Sequence, residues 1–128
     1  MRIPLSIALI CAAATSFFHH AHNAEFLHEY PNLPAWLSPL AVYAAWSVAS
    51  AIAATGYWLL RRGHQLAGVV LLALYGFYGL DTLLHYARAP VSAHTLAMNL
   101  SIWLEAAAAL VLLTVLFRPF FSSGRRGP

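Results

Sequence analysis

Apolar residues fall into four long runs along the chain, with polar residues gathered between the runs rather than alternating through them. The first run is Ile3 to Phe18, and a polar stretch from His19 to Pro34 follows it. The second begins with Ser38 and Pro39 at the cap and first-turn positions a helix start prefers, and Arg61-Arg62-Gly63 close it after Leu60. The third covers His64 to Tyr86. The fourth covers Ala93 to Phe117, with Ser92 as its candidate cap and Pro119 as its stop. The last three exceed the ~20 residues needed to cross a hydrocarbon core. The pattern predicts helices over about 3–29, 38–60, 64–86 and 93–117, the first running on through the histidine-rich segment after Phe18.

Composition turns these four helices toward a membrane. Of the 128 residues, 61% are hydrophobic and 9% are charged, where a soluble domain carries roughly 25% charged residues. Mean hydropathy is +0.68. The predicted fold is all-α: an integral membrane four-helix bundle occupying residues 1–121 as one domain, with 122–128 a flexible cytoplasmic tail. Arg2 with Ala12-Ala13-Ala14 also fits a cleaved signal peptide, but the apolar run through Phe17 and Phe18, and Pro4 in a first turn, favour a retained helix. All basic residues are arginines. With the N-terminus inside, Arg2, Arg61, Arg62, Arg118, Arg125 and Arg126 lie on the cytoplasmic side and Arg88 alone lies outside, so both termini are expected to be cytoplasmic. The arginines are too few and scattered for nucleic acid; the expected partner is the lipid bilayer, and the abundant alanine and leucine suggest a bacterial inner membrane. The single cysteine, Cys11, excludes an internal disulfide or thiolate metal site. Small residues at Ala41, Ala45, Ala49 and Ala53, at Gly68, Gly76 and Gly79, and at Ala106 to Ala109 read as helix-packing surfaces.

That topology gathers the chemistry on one side. Six of the seven histidines (His19, His20, His22, His28, His85 and His94) fall at outer helix ends or in outer loops, with His64 alone inside. If the first helix continues, His22, Glu25 and Glu29 share a face at i, i+3 and i+7. Asp81 and His85 form an i, i+4 pair with Tyr78 a turn deeper, and His94, Met98 and Glu105 align at i, i+4 and i+11. Imidazoles with carboxylates suit Zn, Fe, Mn or Cu(II), and helical bundles build such sites from facing side chains. The candidate metal ligands are His22, Glu25, His85, His94 and Glu105, with Asp81 and Tyr78 as orienting or relay groups. His19, His20 and His28 read as solvated interfacial histidines and Met98 as core. Glu105 lies about 16 Å below His94 at 1.5 Å per residue. An acid at that depth costs about 2.5–3.5 kcal/mol on insertion scales, so it must face the bundle and find a partner such as Tyr75, Tyr78, Ser47 or Ser50.

The segment His22-Asn23-Ala24-Glu25-Phe26, followed by Tyr30-Pro31-Asn32-Leu33-Pro34 and apolar helices, resembles small bacterial multi-pass proteins named for a His-x-x-Glu-Glu motif. Phe26 stands in place of the second glutamate, and the match covers some fifteen residues. The resemblance implies a small polytopic membrane protein and supplies no chemistry.

Three functions compete on these residues. The first is a metal-binding membrane protein. The second is a haem-binding electron-transfer subunit using two of His22, His85 and His94 as axial ligands, a role that needs no carboxylates. The third is a proton- or ion-coupled transport accessory subunit with Glu105 and Asp81 as relays. Four helices are few for a lone transporter, so a homo-oligomer or a larger membrane complex is the expected setting. No Gly-x-Ser-x-Gly and no phosphate-binding loop occurs, so the motifs assign no reaction and leave open whether the protein is an enzyme.

Overall fold

A computed structural model describes residues 3–122 of the chain, with side chains through Pro119. Arg2, Arg125, Arg126 and the expected tail from 123 onward lie outside the described residues. The described residues are helical, with no strand among them. In chain order the helices are α1 (Leu5–Glu25), α2 (Pro39–Arg61), α3 (Gln65–Asp81), the single turn α4 (His85–Arg88) and α5 (Leu96–Ser122). Four segments, Leu5–Glu25, Pro39–Arg61, Gln65–Arg88 and Leu96–Pro119, are long and apolar enough to cross a membrane.

The helices form a four-membered ring in which α1 packs on α2 and α5, and α3 packs on the same two neighbours. The core through the middle is built from Ala8, Ala12, Ala49, Ala53, Leu72, Leu112 and Leu116, small residues on α1 and α2 meeting leucines of α3 and α5. Close approach depends on missing side chains at two crossings. A Cβ at Gly68 would stand 2.8 Å from the Gly56 carbonyl oxygen, and one at Gly79 would stand 2.9 Å from the Ala109 Cβ. Small residues are what allow helices to approach this closely where water supplies no drive.

The helices depart from the hydrophobic pattern at four points. The first helix stops at Glu25 and gives way to a 3-10 turn, Leu27–Glu29. Pro31 biases Tyr30 toward the extended backbone it adopts (φ −74°, ψ 127°). The third span is not one regular helix: a 3-10 turn, Thr82–Leu84, separates α3 from α4. The last helix starts at Leu96, and its cap is not Ser92: the Thr95 hydroxyl accepts the Met98 N–H at 3.2 Å. At the other end Pro119 does not stop α5, which carries it inside and runs to Ser122.

The two ends of the ring differ in chemistry. Arg61, Arg62 and Arg118 close one end, where Leu5, Leu60, Gln65 and Val115 line a shared groove. The other end holds His19, His20, His85 and His94, covered by the 26–38 segment. That strap is tied down by Tyr30, which is buried, and by Asn32, whose side chain donates to the Arg88 carbonyl at 2.8 Å. Asn32 takes a left-handed backbone (φ 57°), a conformation asparagine tolerates better than most residues.

Candidate functional site

Four imidazoles and one carboxyl group share the histidine end. His19 and His20 come from the last turns of α1, His85 from α4, His94 from the loop before α5, and Glu105 from the third turn of α5. Ring centres stand 5.6 Å apart for His19 and His20, 5.3 Å for His19 and His85, and 6.1 Å for His85 and His94. Glu105 is 2% exposed, with its oxygens 3.8 Å from His19 Nε2 and 3.8 Å from His20 Nδ1.

The hydrogen bonds determine which nitrogen carries each proton. His20 Nδ1 lies 2.9 Å from the Ser16 carbonyl, which can only accept, so Nδ1 donates and Nε2 accepts from the Tyr78 hydroxyl at 2.7 Å. His94 Nδ1 likewise donates to the Pro90 carbonyl at 3.0 Å. The Ser101 hydroxyl donates to the Met98 carbonyl at 2.8 Å, so it accepts from His19 Nδ1 at 3.0 Å. His19 Nε2 is then the acceptor for the Thr82 hydroxyl at 3.1 Å. Three imidazoles are thus held through Nδ1–H; the Nε2 lone pairs of His19 and His20 accept from Thr82 and Tyr78, and that of His94 has no partner in the protein. Histidines that bind metal are oriented in this way.

Several buried polar atoms at this end have no hydrogen-bond partner in the protein: His94 Nε2, His85 Nδ1, Asn23 Oδ1 and both oxygens of Glu105. The Asn23 amide stands 3.4 Å from His85 Nε2. Because amide oxygen and nitrogen are assigned by their surroundings, the contact also accommodates Oδ1 accepting from His85 Nε2–H, which leaves His85 Nδ1 as a free lone pair. Among the described residues, however, no group of three or more His, Cys, Asp or Glu side chains stands ready-made to hold a metal ion.

The residues singled out in the sequence divide between this site and its surroundings. His85, His94 and Glu105 belong to the buried end, and Tyr78 touches it through His20. His22 and Glu25 lie apart. His22 Nδ1 is bonded to the Tyr30 hydroxyl at 2.9 Å, and the exposed Glu25 accepts the Tyr43 hydroxyl on α2 at 2.9 Å. Glu29 and His28 are exposed in the strap. Asp81 is exposed and makes no hydrogen bond with His85. The 3-10 turn accounts for this: at three residues per turn, positions four apart no longer stack. His85 therefore turns toward Asn23, His19 and Tyr30. Glu105 bonds to none of the four hydroxyls expected for it. Tyr78 is taken by His20, and Ser47 donates to the Tyr43 carbonyl.

His19 and His20 correct the expectation of solvated histidines: they are 3% and 9% exposed. A signal for this was present in the chain. Ala8, Ala12, Ser16, His19 and Asn23 follow one another at helical spacing and are all buried, so the small-residue stripe of α1 leads into the site. Met98 is core, as expected, with no exposure.

A cleft of about 220 Å³ opens onto the site. His19, His20, Asn23, Thr82 and His85 line its inner part; exposed Asp81 and Arg88 stand at its edge, and Leu33, Pro34, Trp36 and Leu37 of the strap form a wall. Tyr30 of the strap packs its ring 5.1 Å from that of His85. Burial pushes the Tyr30 phenol up to about 12, which keeps it a neutral hydroxyl beside His22. Past Glu105, Ser16 and Tyr75 are followed by the leucine and alanine core.

No family model, curated protein or solved structure matches the chain.

Proposed function

We propose that the protein is a multi-pass bacterial inner-membrane protein that binds one divalent transition-metal ion at an outward-facing histidine site. The observation that carries this reading is the shared anchoring of His19, His20 and His94 through Nδ1–H, together with unpartnered buried nitrogens on His85 and His94. A metal–nitrogen bond of about 2.0–2.1 Å, with the ring centre roughly 1 Å beyond, separates two imidazoles on one ion by roughly 5–6 Å. The 5.3 Å spacing of His19 and His85 falls in that range, and the 6.1 Å spacing of His85 and His94 lies just beyond its upper edge. His85 and His94 are the proposed primary ligands. His19 joins them by exchanging the Thr82 hydroxyl for the ion, and Glu105 behind it supplies the compensating charge. Nitrogen-rich ligation without thiolate favours Zn, Cu(II) or Fe over Ca or Mg.

Orientation rests on the arginines: Arg61, Arg62 and Arg118 stand at the end away from the histidine cluster, as expected of a cytoplasmic face, and Arg88 alone is near the site. Both termini are then inside.

Two observations weigh against the competing functions. A haem site needs no carboxylate, whereas the histidine cluster is built around the buried Glu105, 3.8 Å from both His19 and His20. A transmembrane proton relay needs a polar path through the whole bundle, yet beyond Ser16 and Tyr75 lie Leu72, Leu112 and Leu116.

Cobalt(II) titration of the full chain in nanodiscs tests the reading. Saturable visible absorption bands at one ion per chain, lost in His85→Ala and His94→Ala, are the expected result. Absence of saturable bands, or bands unchanged in both variants, would overturn it.

A further inference from the structure

Below the imidazoles, on the opposite side of Glu105, is a second and much smaller space. A cavity of about 10 Å³ lies between α1, α3 and α5, lined on its polar side by Ser16, Tyr75 and Glu105. All three side chains are at least nine-tenths buried, at 2%, 4% and 2% exposure. The Tyr75 hydroxyl and both Glu105 oxygens have no hydrogen-bond partner in the protein. Leaving such groups dry costs about 1–3 kcal/mol each, so a fold that keeps three of them around one void has a reason to fill it.

Size and chemistry identify the occupant. A void needs about 10–15 Å³ to take one water molecule, and the water needs two to four polar partners. This cavity meets the first condition narrowly and the second in full. It is too small for a lipid chain. Gly79 forms part of the wall: a Cβ there would stand 3.9 Å from the Glu105 Cγ and 2.9 Å from the Ala109 Cβ, too close for α3 and α5 to keep their present spacing.

We infer that this cavity is a binding site for a single water molecule that bridges the Tyr75 hydroxyl to the Glu105 carboxyl group. The water accepts from Tyr75 and donates to Glu105, with Ser16 within the same enclosure. The water then gives Glu105 a hydrogen-bonding partner below, while His19 and His20 stand 3.8 Å away above it. The water is a positioning group for Glu105, and the assignment stands whether or not the imidazoles bind metal.

Infrared spectroscopy of the full chain in nanodiscs, comparing ordinary water with ¹⁸O-labelled water, tests the site. The expected result is a narrow O–H stretching band of an isolated water that shifts with the isotope, and that is lost or displaced in Tyr75→Phe and in Glu105→Gln. Tyr75→Phe keeps the ring and its packing, and Ser16→Ala provides a milder variant in which the band moves without disappearing. The inference is overturned if no isotope-sensitive band of this kind exists, or if it is identical in all three variants. A band that depends on exchanging sodium for choline would assign the cavity to a cation and also overturn it.

Discussion

Removing the Ser101 hydroxyl isolates the link between a second residue and the site. Ser101 is fully buried and passes one hydrogen bond along: its proton goes to the Met98 carbonyl, and its lone pair receives His19 Nδ1–H. In Ser101→Ala, His19 Nδ1–H has no acceptor. Hydrogen bonds between helices in bilayers are worth about 0.6 kcal/mol on average and at most about 1.7, so the bundle loses roughly 1 kcal/mol, about a fivefold change in its folding equilibrium, and stays folded. The larger effect is on the ring. His19 escapes the unpaired donor by moving its proton to Nε2, where the Thr82 hydroxyl can turn to accept it. That tautomer places a hydrogen where the ion would bind. Loss of an orienting partner of this kind typically weakens metal binding by about 10–100-fold. The assay is nitrogen NMR of histidine-labelled protein, which reads the tautomer, paired with a zinc competition titration. His19 is expected as the Nδ1–H tautomer in the native chain and as Nε2–H in Ser101→Ala, with affinity falling in the stated range. An unchanged tautomer with unchanged affinity would mean that Ser101 packs against His19 without orienting it.

Three further outcomes follow from the same geometry. In Gly79→Ala the new methyl starts 2.9 Å from the Ala109 Cβ, against an ordinary contact of about 3.5–4.0 Å, so α3 and α5 must separate at a cost of about 1–3 kcal/mol. Denaturation in mixed micelles should show this loss, while the outward-facing Leu74→Ala stays within about 0.5 kcal/mol. Asn32→Ala removes the bond to the Arg88 carbonyl and places alanine at positive φ, so the 26–38 amides should exchange hydrogen faster by mass spectrometry while α2 and α3 are unaffected. Tyr30 is raised from 10.0 to about 12 in the fold, so between those values the unfolded chain has released a proton that the folded chain keeps. Stability is therefore full below pH 10.0 and declines as pH rises toward 12, and Tyr30→Phe should flatten that decline in a pH series of unfolding measurements.

How much of this was legible depends on the scale of the signal. The four helices stand out because long apolar runs dominate the chain, and the small residues that later prove to be crossings, Gly68 and Gly79, were visible as packing positions. Helix ends were less legible because single residues decide them. Thr95 rather than Ser92 caps α5, and that puts His94 in a loop where Pro90 can hold its ring, outside the i, i+4, i+11 stripe. One 3-10 turn at Thr82 uncouples Asp81 from His85. Reading α1 outward from His22 and Glu25 led to its polar face; reading it inward from Ala8 and Ala12 leads to His19. The buried stripe is the better guide in an apolar helix, since only that face has neighbours to build a site with.

Metal binding at the histidine end is tested most directly by elemental mass spectrometry of the full chain, purified without a histidine tag, beside His85→Ala and His94→Ala. About one zinc, copper, manganese or iron per native chain is expected, with loss of that metal in both variants. A native chain that stays empty after incubation with each of these ions, or variants as fully occupied as the native chain, would contradict metal binding at that end.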